Sequence, residues 1–426
     1  MNTKQEFTHL VNAAVAAIGL RRFTPDEIAS LVMGLAPALA QNLSVSEIEQ
    51  ACAFVETQVR IKIEVGVAIE AGHEPWLAGR KASTAWTRWS AYAQYLRSNS
   101  VVPAVLQAMG ERTDIILDYA GDPLQEGAWS RRGLVLGDVQ SGKTSNYLGL
   151  FNKAADAGYK VFILLAGSTD NLRKQTQKRV DEGFVGRDSS KIMAGLSRLG
   201  ARDVVGVGEL GVTAQSFTTV HKDFQTSLVK AIMLEIEALN SPVVFVVKKN
   251  KRILDNLAAW LEAQIQEGQD KLAIPMMLLD DEADYASINT NDPDQDPTAI
   301  NKAIVRLLGL FEKNSYVGFT ATPFANVLID DEAPEDLFPK DFIFSLESPD
   351  NYFGAEQMFS EEAERNKFIR PLSDAQHVFP FGHKSDLVVP AIPSSLETAV
   401  LNFALVNAIR DLRMQLGSHR SMLINV

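Results

Sequence analysis

The segment with the clearest chemical meaning is a glycine-rich loop that ends in a lysine and a threonine. A short apolar run, Leu134–Leu136, precedes this loop, and a helical pattern, Ser145–Ala157, follows it. Backbone N–H groups in such a loop and at a helix N-terminus bind phosphate, and glycine lets the phosphate come close. The loop fits the pattern G-x-x-x-x-G-K-[ST] and reads Gly137-Asp138-Val139-Gln140-Ser141-Gly142-Lys143-Thr144.

This loop predicts a site for a nucleoside triphosphate and its magnesium ion. Lys143 is expected to reach the β- and γ-phosphates, and the hydroxyl of Thr144 is expected to bind Mg²⁺. The alternative is a glycine turn with an unrelated lysine, which the flanking strand and helix disfavour. The residues predicted to bind ATP are Gly137, Gln140, Ser141, Gly142, Lys143, Thr144 and Ser145.

A second candidate element is a cluster of carboxylates at the end of an apolar run. Met276–Leu279 leads directly into Asp280-Asp281-Glu282-Ala283-Asp284. Parallel sheets bind ligands at the carboxyl ends of their strands, so we expect Asp281 to hold Mg²⁺ and Glu282 to polarise the attacking water. By itself the cluster fits an acidic helix cap equally well. Together with the phosphate loop it favours catalysis by Lys143, Asp281 and Glu282.

A third element ends in two small hydroxyl residues. Tyr316–Phe319 reads as a strand and is followed by Thr320-Ala321-Thr322. We expect these residues to couple the nucleotide site to another surface, because their hydroxyls can bond the acidic cluster or the γ-phosphate. A plain strand-to-loop turn is the favoured alternative when these three residues are considered alone.

The elements that must position these residues alternate between apolar strands and helices. Further strands are predicted at Val161–Ala166 and Val243–Val247. Strands that are apolar throughout and separated by helices indicate an α/β fold with a parallel sheet covered on both faces. The helices are predicted at Ser145–Ala157, Leu172–Val180, Lys251–Gln266 and Thr298–Asn314.

The regions on either side of this α/β part have other patterns. Apolar residues at helical spacing run from Phe7 through Ile69 and predict an α-helical N-terminal domain, 1–105. Its last helix carries Trp86, Trp89, Tyr92 and Tyr95, which we interpret as a packed face; the alternative is a surface that stacks on adenine or another base. Residues 330–395 read as loops, and Leu396–Leu416 reads as an amphipathic helix.

Composition restricts the class of protein. The chain has 426 residues, of which 46% are hydrophobic and 22% are charged, with a net charge of −12 and one cysteine, Cys52. These values exclude a disordered chain and a disulfide framework, and a cytoplasmic location is the default expectation. No apolar run approaches the roughly 18 residues of a membrane span. The acidic total argues against a general nucleic-acid coat, although it leaves a local basic track open.

Together the three elements resemble motifs I, II and III of superfamily-two helicases and translocases. Asp281-Glu282-Ala283-Asp284 spells the DEAD form of motif II, and Thr320-Ala321-Thr322 takes the place of motif III. Over roughly residues 85 to 426 the chain resembles the bacterial Z-one-domain family, helicase-like proteins often described as endonucleases. That likeness rests on the loop and on the runs Trp129–Val135, Lys153–Tyr159, Leu165–Gly167 and Asn171–Gln177.

The resemblance implies two RecA-like P-loop NTPase domains with ATP bound between them. It assigns the first RecA-like ATPase domain to 106–395 and places the start of a truncated second domain at 396–426. The arginine finger belongs to that second domain, so weak turnover is expected of this chain. The family further implies a role in bacterial anti-phage or restriction-type defence, beside a GHKL-type ATPase or a nuclease.

Basic residues at two places are candidates for contacting nucleic acid, with DNA as the expected partner. Lys248, Lys249 and Arg252 form a basic cluster that fits either phosphodiester binding or a solvated helix start. The resemblance places Arg173 and Lys174 at motif Ia, which contacts a nucleic-acid backbone in helicases.

The sequence thus predicts an ATP-hydrolysing, helicase-like motor that uses ATP and Mg²⁺, acts on nucleic acid and does not bind membranes. Two other functions stay open. One is a nucleotide-gated assembly module that recruits partner proteins with little turnover. The other is a nuclease with an unrecognised site.

Overall fold

The fold is taken from a computed structural model of the chain. The structure describes residues 3–18, 25–40, 43–45, 47–48, 50–52, 55, 68–70, 73–137, 142–191, 203–226, 236, 240–285, 287, 298–322, 326, 337–346, 372–376, 378–380, 382–384, 386–389, 391–415 and 419–424. They divide between two compact units, Met1–Tyr352 and Phe353–Val426. Neither unit ends at the predicted boundaries 105/106 and 395/396.

A mainly parallel β-sheet organises the first unit. Its strands are β1 (Ala68–Glu70), β2 (Trp129–Leu136), β3 (Val161–Ala166), β4 (Gln215–Ser216), β5 (Val243–Val247), β6 (Met276–Asp281), β7 (Lys313–Thr320) and β8 (Phe342–Ser345). They lie in the order β1-β8-β2-β7-β6-β3-β5-β4. Only β1 runs antiparallel to its neighbour among these strands. The predicted α/β class with a parallel sheet is therefore confirmed.

Ten α-helices accompany the sheet in the described residues. Seven belong to the part of the chain before β5: α1 (Thr3–Ile18), α2 (Pro25–Leu39), α3 (Leu77–Arg80), α4 (Thr87–Ser98), α5 (Pro103–Ala120), α6 (Lys143–Ala157) and α7 (Asp170–Val180). The other three are α8 (Lys251–Glu262), α9 (Ala299–Gly309) and α10 (Ser394–Leu412). A short π-helical turn, Asp181–Val185, continues α7.

The sheet separates two hydrophobic cores because alternate side chains of each strand point to opposite faces. In β3, Phe162 and Leu164 pack with α4, α5 and α6 on one face. Ile163 and Leu165 pack with α8 and α9 on the other face. Every residue of β3 and β5 is buried, as expected for parallel strands that are covered on both sides.

The N-terminal region has two structural parts. The helices α1 and α2 pack on each other and share a small core of their own. The helices α4 and α5 instead share the core of the sheet, with Tyr92 and Leu96 among its buried members. The aromatic residues of α4 are thus mainly a packed face, as predicted. No helix in the described part of the chain has the length and hydrophobicity needed to cross a bilayer.

Several predicted boundaries are wrong. The helical pattern predicted through Ile69 contains β1, and the segment predicted as loops from 330 to 395 contains β8. The helix predicted at Thr298–Asn314 ends at Gly309, and β7 starts at Lys313. In the second unit α10 begins at Ser394, and none of its side chains is buried.

Candidate nucleotide site

A cavity of about 970 Å³ lies at the carboxyl edge of the sheet. Its wall includes the start of α6 (Gly142, Lys143, Thr144 and Ser145) and the end of β6 with the turn that follows it (Asp281, Glu282 and Asp284). Ala321 and Thr322, which follow β7, and Gly167, which follows β3, also line it. The structure therefore brings the three predicted elements, which are far apart in sequence, to one cavity.

The phosphate loop is described at its two ends. Gly137 continues the strand ladder, because its N–H donates to Thr320 O over 3.0 Å. Gly142 precedes α6 with φ 76°, a left-handed conformation that favours glycine. The Nζ atom of Lys143 donates to Gly137 O over 3.2 Å, so the two described ends of the loop are bonded to each other. Residues 138–141, with the predicted contacts Gln140 and Ser141, lie outside the described residues.

The hydroxyl of Thr144 has a partner that the sequence did not indicate. Arg179 Nη1, near the end of α7, donates to Thr144 Oγ1 over 3.0 Å. Arg179 also lines the cavity and is exposed. Two cations, Arg179 and Lys143, therefore meet at the end of the cavity where a phosphate would lie against the N-terminus of α6.

The acidic turn holds two carboxylates with different surroundings. Asp281 is half-buried and Glu282 is exposed. Burial raises the pKa of Asp281 to about 6, and the neighbouring charge of Glu282 acts in the same direction against the opposing effect of Lys143. Glu282 has φ 59°, a left-handed conformation that costs a non-glycine residue on the order of 1–2 kcal/mol.

A buried lysine holds this strained turn. Lys249 Nζ lies 2.7 Å from Asp280 Oδ1, and neither side chain is exposed. The same ammonium group donates to Glu282 O over 2.5 Å and to Tyr285 O over 2.9 Å. Asp280 also accepts a hydrogen bond of 2.8 Å from Tyr316 Oη. Lys249 thus fixes both ends of the turn that carries Glu282 and joins them to β6.

The hydroxyls after β7 bind the last carboxylate of the acidic cluster. Thr320 Oγ1 donates to Asp284 Oδ1 over 2.7 Å, and Thr322 Oγ1 donates to Asp284 Oδ2 over 2.5 Å. Partial burial would raise the pKa of Asp284, but these hydrogen bonds outweigh it and the pKa is lowered. The segment after β7 is therefore tied to the acidic turn, which is one of the two contacts expected for it.

The structure corrects two of the predicted nucleic-acid contacts. Arg173 is 1% exposed and donates to Thr219 O and Val220 O, each over 2.9 Å. Lys249 is buried against Asp280, as described above. Neither cation can reach a phosphodiester backbone, because each already neutralises or bonds groups inside the fold.

The other three predicted nucleic-acid contacts lie nearer the surface. Lys174 and Arg252 are exposed. Lys248 is half-buried and pairs with Asp170 over 2.7 Å. Asn250 caps α8 by accepting from Arg252 N and Ile253 N, so part of the basic cluster serves the start of this helix.

The side chains around the cavity fit a magnesium–nucleotide complex. Mg²⁺ in such sites takes only one or two protein ligands and fills its shell with phosphate oxygens and water. Thr144 Oγ1 and the Asp281 carboxylate are two oxygen donors of this kind on the cavity wall. Because burial disfavours the charged form of Asp281, a cation would stabilise its carboxylate. Among the described residues, no three His, Cys, Asp or Glu side chains are grouped to hold a metal by themselves.

Sequence reasoning did not place the cavity wall beyond the phosphate loop: it favoured Tyr95 as part of a packed face, with base stacking as the alternative, and it did not single out Glu182. Tyr95 from α4 and Glu182 from the π-helical turn both line the cavity, and Tyr95 Oη donates to Glu182 Oε2 over 3.2 Å. They are 87 positions apart, and no sequence motif joins them.

No protein-family profile and no curated protein matches this chain.

Proposed function

We propose that the chain binds ATP with Mg²⁺ in this cavity and hydrolyses the γ-phosphate. One observation carries the proposal: the lysine and threonine at the start of α6 line the same cavity as the carboxylates at the end of β6. A cationic helix N-terminus and a carboxylate pair at one sheet edge are the groups that phosphoryl transfer to water requires.

Each residue has a role that follows from its position. Lys143 and the N-terminus of α6 would bind and neutralise the β- and γ-phosphates. Thr144 and Asp281 would hold Mg²⁺, whose charge stabilises the phosphate oxygens during transfer. Glu282 would orient a water molecule for in-line attack and accept its proton. The strained turn held by Lys249 would keep the carboxylate of Glu282 in place.

The strand order supports the proposal that this sheet has a RecA-like fold. β7 lies between β2, which leads into the phosphate loop, and β6, which leads into the acidic turn. The segment Thr320–Thr322 is therefore beside both elements and is bonded to Asp284. A change in the acidic turn on loss of the γ-phosphate would reach this segment directly. That is the coupling which a helicase-like motor needs.

We extend the proposal to a nucleic-acid motor of a bacterial defence system, in line with the Z-one-domain resemblance. Two exposed side chains support contact with nucleic acid: of the predicted basic contacts, Lys174 and Arg252 are exposed. Exposed cations of this kind would bind a phosphodiester backbone in a salt-dependent manner and without sequence preference.

ATP turnover tests the proposal. We expect Lys143→Ala and Glu282→Gln each to lower turnover roughly 100-fold, as removal of one group that stabilises a transition state does. Lys271→Ala is the matched control, since Lys271 is exposed and precedes β6 at the opposite edge of the sheet. Equal turnover in all four proteins would contradict the catalytic assignment.

Adding DNA or RNA separates the motor from the assembly module. A motor should hydrolyse ATP faster with nucleic acid, and the increase should decline as salt rises. ATP binding with no turnover under either condition would instead favour a nucleotide-gated assembly module.

A further inference from the structure

The cavity has a second end that the phosphate chemistry does not use. There α4 and the π-helical turn pack against α6, one helical turn beyond the phosphate loop. Tyr92 Oη donates to Ser145 O over 3.3 Å, which anchors α4 at the start of α6. Tyr95, Leu96 and Leu148 line this end with Glu182.

This end combines an aromatic ring, aliphatic side chains and one carboxylate. Tyr95 is half-buried, whereas Leu96 is buried. Burial raises the pKa of Tyr95 to about 12, and the charge of Glu182 acts in the same direction. The phenol therefore stays protonated and donates to the carboxylate, which keeps both side chains at the cavity wall.

The charges along the cavity set the direction in which a nucleotide would lie. Lys143 and Arg179 attract phosphate at one end. Glu182 repels phosphate at the other end and accepts hydrogen bonds from N–H groups. The cavity volume of about 970 Å³ is near the upper limit of small-molecule sites, roughly 300–1,000 Å³, so it has room for more than a triphosphate.

We propose that Tyr95, Leu96, Leu148 and Glu182 form the subsite for the base of the nucleotide. Tyr95 stacks on the base, the two leucines cover its edge, and the carboxylate of Glu182 accepts a hydrogen bond from an exocyclic amino group. The subsite selects a 6-aminopurine over a purine that lacks the amino group, because the base would otherwise exclude water from the carboxylate without donating a hydrogen bond to it. This inference rests on the proposed nucleotide site.

Binding of three magnesium complexes tests the subsite: ATP, purine riboside triphosphate, which lacks the 6-amino group, and inorganic tripolyphosphate. The unaltered protein should bind ATP roughly tenfold more tightly than purine riboside triphosphate. Tyr95→Ala should weaken ATP binding roughly tenfold, since stacking on one base contributes about that factor. Glu182→Leu should remove the preference for ATP over purine riboside triphosphate.

Tripolyphosphate separates loss of the base subsite from misfolding. Its affinity should be the same in the unaltered protein and Tyr95→Ala, and it should be the same or higher in Glu182→Leu, which loses a charge that repels phosphate. Tyr95→Phe retains the ring and should keep most of the affinity for ATP, and Glu267→Gln, an exposed site before β6, should change nothing.

Two results would overturn the subsite. One is that both variants bind ATP as the unaltered protein does, and the other is that their affinity for tripolyphosphate falls as much as that for ATP. If the unaltered protein binds neither ATP nor tripolyphosphate, the proposed function itself fails.

Discussion

Replacing Lys249 by methionine tests the physical account of the acidic turn. Methionine retains a long apolar stem but removes the ammonium group that lies 2.7 Å from Asp280 Oδ1. Asp280 would remain buried with its charge uncompensated, and it would keep the hydrogen bond from Tyr316. Removing one partner of a buried ion pair destabilises proteins by about 3–5 kcal/mol. We expect the free energy of unfolding to fall by about that amount, measured by urea denaturation.

A double-mutant cycle assigns this loss to the uncompensated charge. Asp280→Asn removes that charge, so Lys249→Met/Asp280→Asn should be markedly more stable than the sum of the two single changes predicts. Lys271→Met is the matched control and should change stability by less than about 0.5 kcal/mol, because the side chain is exposed. A loss for Lys249→Met no larger than that of this control would refute the role of the buried pair.

The same substitution has a functional consequence. Lys249 Nζ also donates to Glu282 O and Tyr285 O, so its loss frees the turn from the left-handed conformation at Glu282. We expect Lys249→Met to lower the turnover of ATP at least tenfold while the dissociation constant for ATP changes less than threefold, since Lys143 and Thr144 lie on α6. Equal loss of binding and turnover would show that Lys249 does not act through Glu282.

Three further predictions follow from the site. Because Mg²⁺ binds the ionised form of Asp281, whose pKa is raised to about 6, the affinity for ATP–Mg²⁺ should be constant above pH 7. It should fall about tenfold per pH unit below pH 6, and Asp281→Asn should abolish this dependence in calorimetric titrations. Thr322→Val removes a hydrogen bond that lowers the pKa of Asp284; that pKa should therefore rise in an NMR titration, and an unchanged value would contradict the observed contact. Arg179→Ala removes a cation from the phosphate end and should weaken ATP binding roughly tenfold, with Arg179→Lys intermediate because lysine lacks the planar guanidinium group.

Apolar continuity explains which parts of the fold the sequence could predict. The bounds of β3 and β5 were predicted correctly because both faces of these strands are buried, which leaves continuous apolar runs. The strands β1 and β8 were missed because they are three and four residues long and lie at or near the sheet edge. Such short strands depend on their neighbours more than on their own sequence.

In the candidate site, too, residues within local sequence patterns could be predicted, whereas tertiary contacts could not. Lys143 and Asp281 belong to short local patterns with their own chemical meaning, so they could be named from the sequence. Lys249 also stood out, but as a candidate contact to nucleic acid, because nothing local reveals that it is buried against Asp280. Tyr95 and Glu182 meet only because α4 and the π-helical turn pack on the same helix, a tertiary relation that no spacing rule encodes.

Calorimetric titration of the protein with ATP–Mg²⁺ tests the central claim most directly. The account predicts saturable binding of one ATP per chain, which Lys143→Ala weakens at least tenfold and Lys271→Ala leaves unchanged, because Lys143 lines the cavity and Lys271 does not. No heat of binding to the unaltered protein, or the same affinity in Lys143→Ala, would contradict it.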